Sequence, residues 1–319
     1  IVKTSGETDC AKRIFEFYNG LPYFHENQDC LKLIQTIDDE IERHIVITHI
    51  KGTKGNSNKA LILMGHLDTV GVDDFEEIKE YAFNPDKLPE LLKKKHLDKD
   101  VLEDIKSGEY MFGRGALDMK SGIAGQMCLT KYFSNHTDEF DGHLITLAAC
   151  DEEDNSHGVL TALKVLRQMK EEHDLEFVGC INADYSTPYY SQDENRYIYF
   201  GTIGKLLPSF YVVGEEAHVG QAFSSLDPNL LVAEITRLID YNPELCDESQ
   251  GEVTMPPVSL KQSDFKDKYT VQTALNAYAY YNFFTHSMTP KDVMDTVYKK
   301  AEEDFDNVVH YLNRSYKKF

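Results

Sequence analysis

Residues 1–203 alternate short apolar runs with segments that have the periodicity of an amphipathic helix. The apolar runs predict strands at 44–52, 59–65, 143–150 and 175–183. The periodic segments predict helices at 11–19, 119–136 and 158–170. Because apolar runs separated by helices occur here instead of long alternating strands, the pattern favours an α/β fold with a mostly parallel sheet covered by helices on both faces.

The pattern changes near residues 197–214, where two predicted strands flank a glycine-containing turn. A helix at 227–241, a strand at 273–285 and a helix starting at 289 are predicted to follow. This sequence of elements is typical of a small α+β module of ferredoxin-like order. We therefore predict a first domain at 1–203 and a second, smaller domain at 204–319.

Composition and charge narrow the function classes. The chain has 54 acidic and 33 basic residues and a net charge of −21, which argues against nucleic acid or an anionic membrane as a partner. No apolar run approaches the roughly 18–20 residues that a membrane span requires. The six cysteines are scattered without a C-x-x-C pair; this favours free thiols in a reducing compartment and predicts a cytoplasmic protein.

Polar side chains cluster directly after the predicted strands, where open α/β sheets place their sites. These residues are His66, Asp68, Asp118, Asp151, Glu152, Glu153 and Asp184. Taken singly, each has an ordinary explanation as a turn residue, a helix N-cap or part of a solvated acidic turn. Taken together, so many carboxylates at one edge would repel one another unless protons or metal ions compensate them. Histidine and carboxylate ligands without cysteine suit a catalytic zinc pair.

Five motifs extend this prediction to a known family. They are "GHLDTV", "GRGALDMKSGIAG", "DEED", "NADYSTP" and "GEEAHVGQAF". Their order and approximate spacing resemble those of the dizinc metallopeptidase family of carboxypeptidase G, aminoacylase and succinyl-diaminopimelate desuccinylase. Within that family, "SGET", "NADYSTP" and "YYNFFTHS" are most similar to the RocB arginine-utilisation branch. The resemblance implies a zinc-peptidase-like catalytic domain followed by a small lid or dimerisation domain.

The resemblance also implies a set of metal ligands. His66, Asp118, Glu153 and Asp184 would hold two Zn²⁺ ions, with Co²⁺ or Mn²⁺ as alternatives. Asp118 would bridge the two ions, and Glu153 and Asp184 would each bind one of them. The reaction implied is hydrolysis of a peptide or N-acyl-amino-acid amide bond by water that the two ions activate.

Three further residues receive catalytic roles by the same resemblance. Glu152 would be the general base that takes a proton from the water. Asp68 would orient the imidazole of His66 and raise its basicity. His218 would reach the active site of a partner in a homodimer formed through the small domain and stabilise the oxyanion there.

The chain departs from the family pattern near its end. The family's last metal-binding histidine and its substrate-carboxylate arginine have no clear counterpart, and we expect the chain to be a fragment of a longer protein. The alternative hypothesis is a catalytically inactive or incomplete relative that acts as a binding or dimerisation protein.

Overall fold

The computed structural model describes residues 1–188, 190 and 192–319. They form two compact units, Ile1–Asn195 and Arg196–Phe319, whereas the sequence pattern placed the boundary at 203. In the described part of the chain, none of the helices has the length and apolar character needed to cross a bilayer.

In its described residues, the first unit contains a five-stranded sheet and six α-helices. Its strands are β1 (Leu31–Gln35), β2 (His44–Lys51), β3 (Lys59–His66), β4 (His143–Ala149) and β5 (Glu176–Asn182). Its helices are α1 (Gly6–Asn19), α2 (Pro22–Glu26), α3 (Leu88–Leu92), α4 (Lys99–Ser107), α5 (Ser121–Asn135) and α6 (His157–His173). Helices α1, α5 and α6 contact the sheet and contribute to one apolar core with β2, β3 and β4. The α/β fold class is therefore confirmed.

The sheet is mixed: β1, β3, β4 and β5 run in one direction and β2 runs in the other, so the prediction of a mostly parallel sheet holds except for β2. The strand order is β1-β2-β4-β3-β5, with β2 antiparallel to β1 and β4 and β3 parallel to β4 and β5. The segment 52–58 between β2 and β3 is too short for the crossover of a dozen or more residues that parallel strands need. Strands β2 and β3 therefore run in opposite directions, and β4 lies between them.

Burial also differs from the prediction of a sheet covered on both faces. All seven residues of β4 are buried, because β4 is the central strand. Strand β5 is at the edge and is largely exposed, and Val178 and Ile181 are each more than half exposed.

The second unit has a four-stranded antiparallel sheet packed against two helices, and a separate two-stranded sheet. Its strands are β6 (Gly204–Leu206), β7 (Ser209–Val213), β8 (Glu248–Ser249), β9 (Glu252–Val253), β10 (Val258–Asp264) and β11 (Asn276–Thr285). Its α-helices are α7 (Pro228–Ile239) and α8 (Pro290–Lys318). In the four-stranded sheet, β11 pairs with β10 on one side and with β6 and β7 on the other, and β8 and β9 form the two-stranded sheet. The main elements follow the predicted order of strand, helix, strands and helix.

Asp304 is a buried acid in the second unit. It lies on α8 and is 6% exposed, and within the described part of the chain its Oδ1 has no hydrogen-bond partner. Burial, together with the negative charge of Glu234, raises the pKa of the Asp304 carboxyl to about 7. Since the unfolded carboxyl ionises near pH 3.9, the folded state loses stability as the pH rises from about 4 to about 7.

We expect Asp304→Asn to raise the free energy of unfolding by about 1–3 kcal/mol at pH 8, where it removes a buried charge. At pH 4 the change should be small, because the folded Asp304 is already protonated there. Urea unfolding at both pH values measures the difference, and Asp306→Asn on the exposed side of the same helix is the control. An equal effect at both pH values would contradict this account of Asp304.

Candidate metal centre

The strand register brings the predicted site residues to one edge of the sheet. Strand β3 pairs in parallel with β4, with His66 opposite Ala149, and with β5, with Met64 opposite Asn182. The three strands therefore end together. His66 closes β3, and the segments that follow β4 and β5 carry the acidic residues.

Asp118 reaches this edge through the turn that precedes α5. The neighbouring Met119 is 1% exposed and packs beside Gly65, where an added Cβ would lie 2.5 Å from its methyl group. The backbone N–H of His66 donates to Sδ of Met119 at 3.0 Å. A glycine before His66 thus permits the close packing that holds Asp118 beside the imidazole.

The imidazole of His66 is the centre of the cluster. Its Nε2 lies 3.2 Å from Oδ1 of Asp118, 3.8 Å from Oε2 of Glu152 and 3.8 Å from Oδ1 of Asp184. His66, Asp118 and Asp184 form one group whose candidate ligand atoms lie within 4.8 Å of one another, and His66, Glu152 and Glu153 form a second. Every residue predicted as a metal ligand is therefore in this cluster; its role as a ligand stays a prediction.

The electrostatics of the cluster favour a cation. Burial opposes protonation of His66, but Asp68, Glu152 and Asp184 outweigh it and raise the pKa of the imidazole to about 9. Burial and the neighbouring carboxylates also raise the pKa of Glu152 and of Glu153. These shifts indicate an excess of negative charge, which a divalent ion would offset.

The donor set fits a divalent metal. Nε2 of His66 faces the carboxylates, and its buried Nδ1 has no hydrogen-bond partner among the residues that the structure describes. Oδ1 of Asp68 is 3.6 Å from that Nδ1, just beyond hydrogen-bond distance. A neutral imidazole that binds an ion through Nε2 would carry its proton on Nδ1, towards Asp68.

Asp68 also holds the acidic turn in place, a role that the sequence did not indicate. Its side chain is fully buried, and Oδ1 and Oδ2 accept hydrogen bonds from the backbone N–H groups of Glu152 at 3.2 Å and Glu153 at 3.1 Å. These hydrogen bonds and proximity to His66 lower the pKa of Asp68 against the opposing effect of burial. One carboxylate thus connects the end of β3 to the turn after β4.

A buried ionic network lies behind the same turn. The guanidinium of Arg43 makes a bidentate pair with Asp39 at 2.8 Å for both contacts and donates to Oδ1 of Asp151 at 2.5 Å. Glu7 accepts from the backbone N–H of Asp151 at 2.9 Å and lies 3.5 Å from Nη1 of Arg43. His157, at the start of α6, contacts the other oxygen of Asp151 through Nδ1 at 2.6 Å.

Sequence reasoning missed this network, because its members are far apart in the chain. Asp151 occurs in the motif "DEED" but was weighed only as part of an acidic run. One signal for the network was present in the sequence. Asp151 directly follows a largely apolar strand, where a charged side chain is expected to be buried and therefore paired.

His218 lies in the second unit. It is exposed and precedes a short 3₁₀ helix at Val219–Ser224. Its Nδ1 accepts a hydrogen bond from the backbone N–H of Gly220 at 3.1 Å. The proton of the neutral ring then lies on Nε2, which can donate to an oxygen atom.

The fold and the site together define a class: an α/β protein with a histidine–carboxylate centre at the ends of parallel strands. A sequence profile of the peptidase family M20/M25/M40 matches residues 62–288, a range that includes the whole centre. The chain belongs to this family.

Individual relatives agree with that assignment. Protein RocB of Bacillus subtilis is 38% identical over 316 residues, which are 99% of this chain and 56% of RocB. The protein YqjN of the same organism is 34% identical over 321 residues, 100% of this chain and 57% of YqjN. The chain thus spans little more than half the length of these curated relatives.

A solved structure supports the fold independently. The M20 family metallo-carboxypeptidase Sso-CP2 of Sulfolobus solfataricus aligns with a TM-score of 0.54 over 92% of this chain and 75% of that one. The two sequences are 13% identical, so the likeness concerns the fold alone.

Proposed function

We propose that this chain carries the metal centre of a hydrolase that cleaves peptide or N-acyl-amino-acid amide bonds. The observation that supports it most is that His66 belongs to two groups of closely spaced ligand atoms, one with Asp118 and Asp184 and the other with Glu152 and Glu153. Membership of a peptidase family supports hydrolysis of an amide bond as the reaction.

In this proposal the residues hold two divalent ions. His66, Asp118, Glu153 and Asp184 would hold them; Zn²⁺ is the first choice, with Co²⁺ or Mn²⁺ as alternatives. When bound, such ions polarise the substrate carbonyl and make a water molecule a better nucleophile.

Glu152 then moves the proton. Its carboxylate lies at the edge of the cluster with a side chain 47% exposed, so both water and substrate can reach it. It takes a proton from the attacking water and passes it to the nitrogen of the departing amine. Asp68 keeps the backbone of residues 152 and 153 fixed while this occurs.

His218 completes the proposed machinery. With Nδ1 accepting from Gly220, its Nε2–H is available to stabilise the oxyanion that forms at the attacked carbonyl. We propose that a homodimer formed through the second unit, acting as a lid domain, brings this group to the centre of the partner. We also propose a cytoplasmic location and, from the similarity to RocB, a context of arginine utilisation.

The function is tested by incubating the full chain with N-acetyl amino acids and dipeptides and following amine release by mass spectrometry. We expect release in the presence of Zn²⁺, Co²⁺ or Mn²⁺ and its loss on addition of a chelator. A protein that binds metal but releases no amine from any substrate would favour the alternative of a binding or dimerisation protein.

A further inference from the structure

An apolar cavity of about 360 Å³ opens directly beside the metal centre. Its apolar lining comes from Phe75, Leu88, Leu92, Phe112, Leu117 and Tyr185. Asp118 forms part of the wall, and Tyr185 follows Asp184 in the chain. A group that enters this cavity therefore lies next to two of the proposed metal ligands.

Most of the wall belongs to the long polar excursion after β3. Residues 72–117 leave the sheet after the His66 motif and return just before Asp118. The excursion is rich in charged residues overall, yet, apart from Arg114, the side chains that it turns towards this cavity are apolar or aromatic. The segment is thus polar as a whole, whereas the part of it that lines the cavity is mainly apolar.

The cation that lines the cavity, Arg114, is paired on one side of its guanidinium, while its buried Nε has no hydrogen-bond partner among the described residues. Nη2 of Arg114 pairs with Asp74, and the guanidinium lies over the ring of Phe75, 5.2 Å from its centroid. Among the described residues that line the cavity, Arg114 is the one basic side chain. A substrate carboxylate that approaches Nη2 would therefore compete with Asp74, whereas an apolar group against the remaining wall would not.

Exposed apolar side chains extend the apolar surface beyond this cavity. Met111 is 75% exposed and Leu117 is 65% exposed, and both line a second apolar cavity of about 590 Å³ on the same segment. Apolar groups that remain this exposed beside a candidate active site are typical of a binding groove.

We propose that residues 72–117 form a specificity pocket for an apolar side chain or acyl group, of about leucine to phenylalanine size, next to the scissile amide. This inference rests on the proposed function. Burial of such a group gives about tenfold to hundredfold in kcat/KM over a substrate that carries only hydrogen there.

The first test compares N-acetyl-leucine, N-acetyl-glycine, N-acetyl-aspartate and hexanoyl-glycine, which vary one side of the amide at a time. The full chain should prefer N-acetyl-leucine or hexanoyl-glycine by about tenfold or more. Leu92→Trp fills the cavity and should lower this preference at least fivefold, whereas Leu163→Trp, at an exposed position on α6, should not. A preference for N-acetyl-aspartate would overturn the pocket. So would an apolar preference that is the same in Leu92→Trp and Leu163→Trp.

A binding measurement separates this inference from the proposed function. The chain has no tryptophan, so Phe75→Trp places a single indole in the cavity wall. Its fluorescence should shift with N-acetyl-leucine or hexanoyl-glycine but not with N-acetyl-aspartate, and Phe305→Trp on α8 is the matched control. Selective binding without turnover would overturn the proposed hydrolase function but retain the pocket. Turnover without selectivity for apolar groups, in either kinetics or binding, would overturn the pocket alone.

Discussion

Glu152→Gln is expected to lower kcat for amide hydrolysis by about a thousandfold, within the range that a positioned general base supplies. Glutamine keeps the size of the side chain but cannot accept the proton of the attacking water. Because Glu152 is not among the four proposed ligands, metal content should remain close to that of the wild-type protein. The measurement is kcat together with metal content on the same preparation.

Glu171→Gln is the matched control for this prediction. Glu171 lies on α6 and is exposed to solvent, so the same chemical change there should leave kcat within experimental scatter. Loss of metal together with activity in Glu152→Gln would show that Glu152 is a ligand instead of the base. Unchanged turnover would remove it from the mechanism altogether.

Arg43→Met is expected to lower the free energy of unfolding by about 3–5 kcal/mol. Arg43 is 2% exposed, and its loss leaves the buried carboxylates of Glu7, Asp39 and Asp151 without their shared cation. Because Asp151 directly precedes Glu152, the surviving folded protein should also hydrolyse more slowly. Urea unfolding and kcat measure the two effects.

Arg167→Met provides the comparison for Arg43. Arg167 also pairs with an acid, Glu171, but its side chain is 83% exposed, and surface pairs of this kind contribute about 0–1 kcal/mol. A destabilisation of similar size in both variants would mean that the buried network is not what stabilises the acidic turn.

The residues of the cluster could be singled out from the sequence, although their roles stay predictions, whereas the direction of one strand of the sheet could not. Asp118 was singled out in the motif "GRGALDMKSGIAG" before a predicted helix, whereas His66, Glu152, Glu153 and Asp184 were singled out because they end or follow predicted strands. The parallel pairing of β3 with β4 and β5 then brings them together. The direction of β2 was wrong, because it depends on the short segment 52–58 and not on the apolar pattern of the strand.

Contacts between distant parts of the chain could not be predicted in this way. Glu7 and Asp151 are hydrogen-bonded across 144 residues, and neither position has a local pattern that identifies the other. The apolar cavity beside Asp118 has the same origin, since residues 72–117 are polar on average and only the fold separates their apolar side chains from the rest. Hydrophobic periodicity depends on residues that are close in the sequence, whereas these features are formed by residues that are close only in the folded structure.

Metal stoichiometry tests the central claim most directly. The full chain, stripped with a chelator and then equilibrated with Zn²⁺, should bind two ions per chain by elemental analysis, and its melting temperature should rise with bound metal. Asp118→Asn should lose most of this binding, while Asp227→Asn, at a helix N-cap in the second unit, should retain it. Equal zinc content in Asp118→Asn and the wild-type protein, or no specific binding by either, would contradict the assignment of this cluster as the metal centre.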